Sequence, residues 1–431
     1  MTHRNMHRAS RRLPLMVAIL AVLLLSLPGI QADEEGGGTL FFVDYRALEE
    51  GGTDGVALIE LDPEAENFGE IIQRVEIGQG VLPHHLYFNH DESRLYTSAL
   101  GGAGVYEIIV EKDDHGIPSI AEVVAVDTGG QIVGEDVYFT EDGSEYWVTF
   151  MGGFGEDAGG TVGVFDAETN ELVEIITAPR PENLDNDEPF IMYPHGITAN
   201  EEQGYVLITS TIHFDLSTGV GNTVTLIDMN SREPIKTYVV ADNPDDPSSP
   251  VETFLLRGED YEPYAFVNTM LGGDVWGAAF NEDTGIYDEF TKLIEGDDDG
   301  LSWPLEFYVG PGEDPESEDD QLLYISWAVP GVVRAYSLEN LPELEVVREY
   351  QADGGAHHMA FYQTASGNEV MVVQNNLLNL SDPMPFLNAG TLSVFDLSTE
   401  ELLGTVDLTA SDGIMPESIE LASGNGHYLH H

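Results

Sequence analysis

The sequence predicts an all-β fold, a seven-bladed β-propeller closed by pairing of N-terminal strands with the C-terminal strand. Three observations predict it: short runs of β-branched and aromatic residues, a unit that recurs about every 50–60 residues, and seven similar strands that open these units. Helical periodicity is almost absent. Length alone would suggest two or three domains, but the repeat favours one closed ring.

The short runs have the length and composition of β-strands. Examples are TLFFVDY, GVALIELD, HHLYFN and GVYEIIVE, and Gly, Asp, Asn and Pro separate such runs. β-branched and aromatic side chains fit a pleated, half-buried surface, whereas the separating residues favour turns. The runs therefore predict many short strands joined by turns.

Seven marker strands divide the chain into repeats. They are PHHLYF (83–88), GEDVYF (134–139), PHGITA (194–199), VETFLL (251–256), PLEFYV (304–309), AHHMAF (356–361) and PESIEL (416–421). Three unmarked strands precede the first marker, and little of the chain follows the seventh. Pairing of the seventh marker with those three strands would complete a blade and leave no open sheet edge at the seam. We therefore predict a single propeller domain over residues 33–431.

Residues 1–32 predict an export signal peptide. Basic residues precede an apolar run at 13–27, and the small residue Ala32 ends the segment. The Arg11–Arg12 pair also fits a twin-arginine signal. An uncleaved anchor helix is the alternative, but the apolar run is shorter than the roughly 20 residues that span a bilayer. We expect an exported protein, periplasmic or extracellular, that leaves the membrane after cleavage.

The composition is strongly acidic, with 78 Asp and Glu against 15 Lys and Arg and a formal net charge of −63. This charge repels nucleic acid and anionic membranes, so we expect neither as a partner. Hydrophobic residues make up 42% of the chain, which argues against disorder. The acids are spread along the chain, which favours a halophilic protein because salt screens their repulsion.

Cysteine is absent from the chain. Disulfides, thiolate metal ligands and cysteine nucleophiles are therefore excluded. A bound metal would need His, Asp, Glu or backbone oxygen as ligands.

Two polar columns stand at the start of the marker strands. The first column holds His84, Glu135, His195, Glu252, Leu305, His357 and Glu417. The second column holds His85, Asp136, Gly196, Thr253, Glu306, His358 and Ser418. The first strand of a blade lines the central channel of a propeller, so we expect both columns near one channel mouth. Neighbouring residues of a regular strand point to opposite faces, so both columns reach one site only where the backbone is irregular.

Five of the 13 histidines fall in these columns, on three blades, and they predict a metal site. The predicted metal ligands are His84, His85, His195, His357 and His358. Imidazole suits copper, zinc and iron, whereas the lack of sulfur disfavours a blue-copper centre. The alternative is a water-filled channel in which histidines bond to neighbouring acids. His213 is a weaker candidate for the same channel mouth.

Several phrases, in their order along residues 33–431, resemble the selenium-binding protein family, which includes bacterial methanethiol oxidases. The phrases are IELDPEAENFGEIIQRVEIG (59–78), LPHHLYF (82–88), VTFMGG (148–153), YPHGITAN (193–200) and GGAHHMAFYQTASGNEVMVV (354–373). The resemblance implies a seven-bladed propeller and, for exported bacterial members, a copper-dependent oxidase. The implied reaction converts methanethiol, O₂ and water to formaldehyde, hydrogen sulfide and hydrogen peroxide.

The resemblance also implies which positions hold the copper, and the chain departs from the family at some of them. The matching ligands are His84, His85, His195 and either His357 or His358. Histidines that the family leads us to expect at two other markers are replaced by Glu135–Asp136 and by Glu417. The selenium-linked cysteine is also missing, with NFG (67–69) in its place. A carboxylate is a harder, charged ligand, so we expect a site related to that of the oxidases but not identical to it.

These observations together predict an exported, metal-dependent oxidase of a small substrate, such as the sulfur compound methanethiol. Copper is the expected cofactor, with zinc or iron as alternatives. Glu135, Asp136 and Glu417 are the predicted catalytic residues, as further ligands or proton acceptors. A non-catalytic exported propeller that binds metal or a protein partner is one alternative. A lactonase-like hydrolase is the other, because the first column also carries carboxylates. The oligomeric state stays open.

Overall fold

The computed structural model describes residues 39–89, 92–152, 159–177, 188–213, 220–256, 263–312, 321–364, 366–377 and 387–423. The predicted signal peptide, residues 1–32, lies outside these ranges and stays a prediction. Within the described ranges, no helix has the length and apolar character needed to cross a membrane.

The described residues form seven antiparallel sheets, and each sheet is one blade. Six sheets have four strands and the remaining sheet has five. Helical structure among the described residues is limited to a 3-10 helix at Gly296–Asp299 and a single turn, α1, at Leu408–Ser411. The predicted all-β, seven-bladed propeller is therefore confirmed.

The blades are numbered in chain order from the N-terminus. Blade 1 contains β1 (Leu40–Ala47), β2 (Asp54–Glu60), β3 (Ile71–Gly78) and β29 (Ile414–Leu421). Blade 2 contains β4 (Pro83–Phe88), β5 (Leu95–Ala99), β6 (Val105–Lys112) and β7 (Pro118–Ala125). Blade 3 contains β8 (Gly134–Phe139), β9 (Glu145–Phe150), β10 (Thr161–Asp166) and β11 (Leu172–Ile176). Blade 4 contains β12 (Pro194–Asn200), β13 (Tyr205–Ile212), β14 (Val220–Asp228) and β15 (Pro234–Val239).

The remaining three blades follow the same plan. Blade 5 contains β16 (Pro250–Leu256), β17 (Tyr264–Thr269), β18 (Asp274–Asn281), β19 (Ile286–Tyr287) and β20 (Thr291–Glu295). Blade 6 contains β21 (Ser302–Pro311), β22 (Gln321–Val329), β23 (Val332–Ser337) and β24 (Glu345–Gln351). Blade 7 contains β25 (Ala356–Gln363), β26 (Glu369–Asn375), β27 (Thr391–Asp396) and β28 (Leu402–Asp407).

The ring closes within blade 1, where the two ends of the described chain meet. The C-terminal strand β29 pairs antiparallel with β1, and the strand order is β29–β1–β2–β3. This pairing confirms the predicted closure. It also covers the inner edge of β1, which would otherwise expose unpaired backbone groups.

The seven marker strands line the centre of the ring. Each lies at one edge of its sheet, and each contacts the marker strands of the two adjacent blades, so the contacts run unbroken through β29, β4, β8, β12, β16, β21 and β25. Second strands such as β5 are buried throughout, whereas outer strands such as β3 alternate between exposed and half-buried side chains. The core therefore lies between the inner halves of the blades.

Every marker strand carries a β-bulge at its two polar columns. In blade 2, Pro83 pairs with Ala99 and Leu86 pairs with Thr97, so two histidines stand opposite one residue. The same two-against-one register occurs in the other six blades. A bulge re-aims side chains that regular alternation would send to opposite faces. It is the backbone irregularity that both columns need to reach one site.

The residue two positions before the bulge has a positive φ in six blades: Leu82, Val133, Tyr193, Ser249, Trp303 and Gly355. Positive φ is unfavourable for residues other than glycine and persists where the surroundings hold it. This left-handed residue therefore precedes the bulge at the same point of six of the seven repeats.

The structure corrects the column register of blade 5. Pro250 pairs with Thr269 and Thr253 pairs with Val267, so the two bulged residues are Val251 and Glu252. Glu252 therefore belongs to the second column, and Thr253 to neither. The sequence pattern predicts Val251 as the leading residue of this marker, but Pro250, one residue earlier, has that position.

Polar side chains on the second strands hold the bulges, and we call them latch residues. They are Asp44, Thr149, Thr209, Asn268, Ser326 and Gln374, and each accepts the backbone N–H of the second-column residue at 2.7–3.3 Å. Several also bond to the next blade: Thr209 Oγ1 donates to the Val251 carbonyl at 2.7 Å, and Gln374 Nε2 to the Pro416 carbonyl at 2.8 Å. The latch residues therefore satisfy the bulge and tie neighbouring blades together.

We expect Thr209→Val to lower the free energy of unfolding by about 1–3 kcal/mol, because it leaves the buried Gly196 N–H without its acceptor. Thr198→Val is the matched control, since the buried Thr198 hydroxyl has no hydrogen-bond partner among the described residues. Thermal and denaturant unfolding of both variants measure the difference. An equal loss of unfolding free energy in the two variants would contradict the stabilising role of the latch residue Thr209.

Glu60 generates a prediction about pH. Burial raises the pKa of Glu60 from 4.5 to about 7, so between these values the folded protein keeps a proton that the unfolded chain releases. Stability from this group is therefore full below about pH 4.5 and is lost as the pH rises through 7. We expect Glu60→Gln to be more stable than the parent at pH 8 by about 1–2 kcal/mol, but not at pH 4. Exposed Glu70→Gln, measured in parallel, should show no such pH-dependent gain.

Candidate metal centre

The five predicted histidine ligands meet at the centre of the ring. His84 and His85 lie in the bulge of blade 2, His195 in that of blade 4, and His357 and His358 in that of blade 7. The His85 ring centroid lies 4.6 Å from that of His358 and 6.4 Å from that of His195. Because blades 2, 4 and 7 are not adjacent, their side chains make these contacts only near the ring axis.

One part of the cluster is the three-histidine group, formed by His85, Glu306, His357 and His358. Its four side chains each offer a ligand atom, and these atoms lie within 4.8 Å of one another. Glu306 Oε1 is 3.2 Å from His357 Nε2 and 3.9 Å from His358 Nδ1. All four residues are buried, so this group provides three imidazoles and one carboxylate out of contact with water.

The other part is the two-histidine group, formed by His84, Glu135 and His195. Glu135 Oε2 lies 3.3 Å from His84 Nε2 and 3.5 Å from His195 Nε2. This oxygen is buried, yet no described residue forms a hydrogen bond with it. A buried carboxylate oxygen in that state needs a proton or a cation.

His85 is held by a chain that includes the predicted catalytic residue Asp136. The ring nitrogen Nδ1 of His85 contacts the Tyr87 hydroxyl, which donates to Asp136 Oδ1 at 2.6 Å. Asp136 Oδ2 also accepts the Ile197 N–H at 2.7 Å. Because Tyr87 donates to Asp136, its oxygen accepts from His85 Nδ1, which places the lone pair of His85 on Nε2. That nitrogen is buried and has no hydrogen-bond partner among the described residues.

The third predicted catalytic residue, Glu417, belongs to neither group. It accepts from Arg46 Nε at 2.9 Å and from Asn376 Nδ2 at 2.6 Å. The carbonyl of Asn376 lies 3.2 Å from His357 Nδ1, so Glu417 reaches the cluster only through Asn376 and His357. Burial raises the pKa of Glu417 to about 8, although Arg46 opposes the shift.

Two carboxylates in the cluster were not among the predicted site residues, namely Glu306 and Glu252. Glu306 joins the three-histidine group, and Glu252 Oε1 lies 2.9 Å from His195 Nδ1. Both stand in the second column, like His85 and His358, so membership of that column was the signal that could have found them. For Glu252 this signal was missing, because a marker that starts at Val251 puts Glu252 in the first column.

His213 does not join either group. It is buried at the end of blade 4 and packs edge-on against Tyr193, with ring centroids 4.8 Å apart. Because His213 packs against Tyr193, the residue directly before marker strand β12, we assign it a packing role.

Burial sets the protonation of the cluster. It lowers the pKa of His84 and His85 well below the ordinary value, and neighbouring imidazoles lower it further. It lowers the pKa of His195 to about 4. Burial raises the pKa of Glu135 well above its usual range, and neighbouring carboxylates add to the effect. The imidazoles of His84, His85 and His195 are therefore neutral near pH 7, which is the form that binds metal.

The donor set fits a transition metal. Neutral imidazoles suit copper, zinc and iron, and carboxylates complete such sites. His85 and His357 each direct the second ring nitrogen to an oxygen acceptor, as metal-binding histidines usually do. Fold and site thus define a seven-bladed β-propeller with a buried histidine–carboxylate cluster of metal-binding composition.

Comparison with known proteins supports the fold. No family model matches the sequence, and no curated protein sequence is similar to it. A solved structure of a hypothetical selenium-binding protein from Sulfolobus tokodaii matches with a TM-score of 0.67 and 15% identity, over 91% of this chain and 94% of that chain.

Two lactonase structures also match. The periplasmic gluconolactonase of Pseudomonas aeruginosa has a TM-score of 0.56 and 14% identity, over 89% of this chain and 99% of that chain. A putative 6-phosphogluconolactonase from Bacteroides uniformis has a TM-score of 0.55 and 13% identity, over 89% and 98%. At these identities the three similarities show a shared propeller fold and nothing about activity.

We expect Tyr87→Phe to weaken metal binding by about 10- to 100-fold, because it removes the hydroxyl that orients His85. Tyr138→Phe is the matched control, since Tyr138 has the same place in the marker strand of blade 3 but donates outward to Glu201. Competition with a chelator of known affinity measures both variants. Equal affinity in the two variants would remove the orienting role of Tyr87.

Proposed function

We propose that this protein is an exported, metal-dependent oxidase of a small substrate, such as the sulfur compound methanethiol, with copper as its metal. The observation that carries the proposal is the convergence of five histidines, four buried and one half-buried, from three non-adjacent blades. Imidazole donors without sulfur favour copper, zinc or iron. The ordered sequence resemblance to the selenium-binding family favours copper among them.

Copper bound by His84, His85, His195, His357 and His358 would supply the redox chemistry between substrate and O₂. The protein's own residues would bind and orient the reactants and move protons. Glu135 is suited to proton transfer with a thiol, because burial raises its pKa well above the usual range of a carboxyl group. Asp136 acts through Tyr87, and Glu417 through Asn376, so both position histidines.

Access favours a small substrate. The side chain of His195 keeps 13% of its surface exposed, compared with 6% for His84 and 5% for His357. We propose that the substrate approaches past His195 and meets Glu135 there. With methanethiol, O₂ and water would be consumed, and formaldehyde, hydrogen sulfide and hydrogen peroxide released.

A lactonase-like hydrolase is the second candidate, and the carboxylates favour it. Glu135, Glu252 and Glu306 give the cluster more oxygen donors than a histidine-only copper site, and two lactonases share the fold. A metal in such an enzyme would polarise a carbonyl or activate water without redox change. A protein that binds metal without turnover is the remaining alternative.

Elemental analysis and an oxygen electrode test the proposal together. Protein folded with copper should contain metal and should consume O₂ when methanethiol is added, with hydrogen peroxide as a product. We expect His84→Ala to lower uptake by about 100-fold or more, because it removes a ligand at the centre of the cluster. His115→Ala, in an exposed loop, should leave uptake unchanged.

The outcomes separate the alternatives. Copper without thiol-dependent O₂ uptake would reject the oxidase and leave the metal site. Lactone hydrolysis lost in His84→Ala would favour the hydrolase. Less than about 0.1 metal per chain, unchanged by His84→Ala, would reject the metal centre itself.

A further inference from the structure

We infer that the cluster holds two metal ions, one in the three-histidine group and one in the two-histidine group. The inference rests on the proposed function, because it needs the same cluster to be a metal site. It goes further in assigning every ligand to one of two ions. Four lines of observation support it: ligand spacing, unsatisfied atoms, the bulge of blade 2 and buried charge.

The ligand spacings describe two coordination shells. With metal–ligand bonds of about 2.0–2.2 Å, atoms that share one tetrahedral ion lie roughly 3.3–3.6 Å apart. Glu135 Oε2 is 3.3 and 3.5 Å from the Nε2 atoms of His84 and His195. Glu306 Oε1 is 3.2 and 3.9 Å from ring nitrogens of His357 and His358. Each carboxylate oxygen therefore stands near shell distance from two imidazoles of its own group.

Unsatisfied atoms indicate that the two-histidine group is a site in its own right. Although two imidazole nitrogens converge on Glu135 Oε2, neither forms a hydrogen bond with it by geometry. Nitrogens that approach a carboxylate oxygen at this distance without donating to it can share a cation with that oxygen. His85 Nε2, buried and without a hydrogen-bond partner among the described residues, provides the equivalent open ligand in the other group.

The bulge of blade 2 supplies one ligand to each group. His84 and His85 are adjacent, with ring centroids 4.3 Å apart, yet His84 joins Glu135 and His85 joins Glu306. One bulge therefore links the two groups and keeps them close. Paired metal ions in proteins commonly lie about 3.5–4 Å apart, so two ions held from neighbouring residues would interact.

Buried charge favours two cations over one. Four carboxylates of the cluster, Glu135, Asp136, Glu252 and Glu306, are each 3% exposed or less. Buried charges are costly unless they are paired or bind metal. Glu135 lies beside two imidazoles of one group and Glu306 beside two imidazoles of the other, so each group has its own carboxylate to bind a cation.

Copper(II) titration of chelator-stripped protein tests the inference, with desalting before elemental analysis. We expect two copper ions per chain in the parent, one in His195→Ala and one in His358→Ala. The double variant, His195→Ala with His358→Ala, lacks a ligand of each group, so the copper that it retains is held by the acidic surface. His213→Ala is the matched control, because it removes a buried histidine that belongs to neither group, and it should retain two ions.

Electron paramagnetic resonance of the parent gives a second readout, and this measurement does not depend on whether a variant folds. In the parent, two nearby copper(II) ions should give a coupled signal, with fewer integrated spins than copper atoms or with dipolar broadening. Each single variant should give an uncoupled signal with one spin per copper.

The outcomes distinguish this inference from the proposed function. One uncoupled copper per chain in the parent would overturn the two-ion inference and leave a single metal centre. Copper no higher in the parent than in the double variant would overturn both the inference and the proposed function.

Discussion

The β-bulge at the inner end of each blade is the constraint on which the rest of the structure depends. A regular marker strand would direct His84 and His85 to opposite faces, and at most one of them would reach the ring axis. The bulge instead brings both into the cluster, and the same distortion in blade 7 does so for His357 and His358. A bulge exposes a backbone N–H that the ladder no longer pairs. The latch residues on the second strands accept that N–H. The same hydrogen bonds therefore stabilise the fold and fix the residues of the site.

This sharing explains why the site can be held without loops. The Gly196 N–H donates to Thr209, and Thr209 donates in turn to the Val251 carbonyl of the next blade. His358 is fixed by its backbone bond to Gln374, which also bonds to the Pro416 carbonyl of blade 1. Ligands anchored on inner strands are more precisely placed than ligands on loops. Loss of a latch should therefore disturb metal geometry as well as stability.

More of the fold than of the site was predictable from the sequence. Blade number and closure were predictable because the repeat and the three unmarked N-terminal strands are both local patterns. The histidine set was predictable because its members recur at one repeat position. The acids were harder to place, since their roles depend on distant partners. Glu417 bonds to Arg46, 371 residues away in the chain, a contact that exists only because the ring closes. Glu252 was set in the wrong column by one residue, and one residue is enough to reverse a side chain.

The acids of the surface and those of the cluster obey different electrostatics. Salt screens exposed charges over about 10 Å at moderate concentration, so a net charge of −63 can be tolerated in a saline medium. Buried carboxylates are screened far less, and burial, followed by repulsion from Asp136 and Glu306, raises the pKa of both Glu135 and Glu252. Protons or metal ions must therefore neutralise the cluster whatever the salt concentration. Imidazole donors suit copper, zinc and iron, whereas carboxylates are harder donors that also favour harder ions. Glu135 and Glu306 thus add hard oxygen donors to the imidazoles of the cluster, and the bulges set the positions of both kinds of side chain.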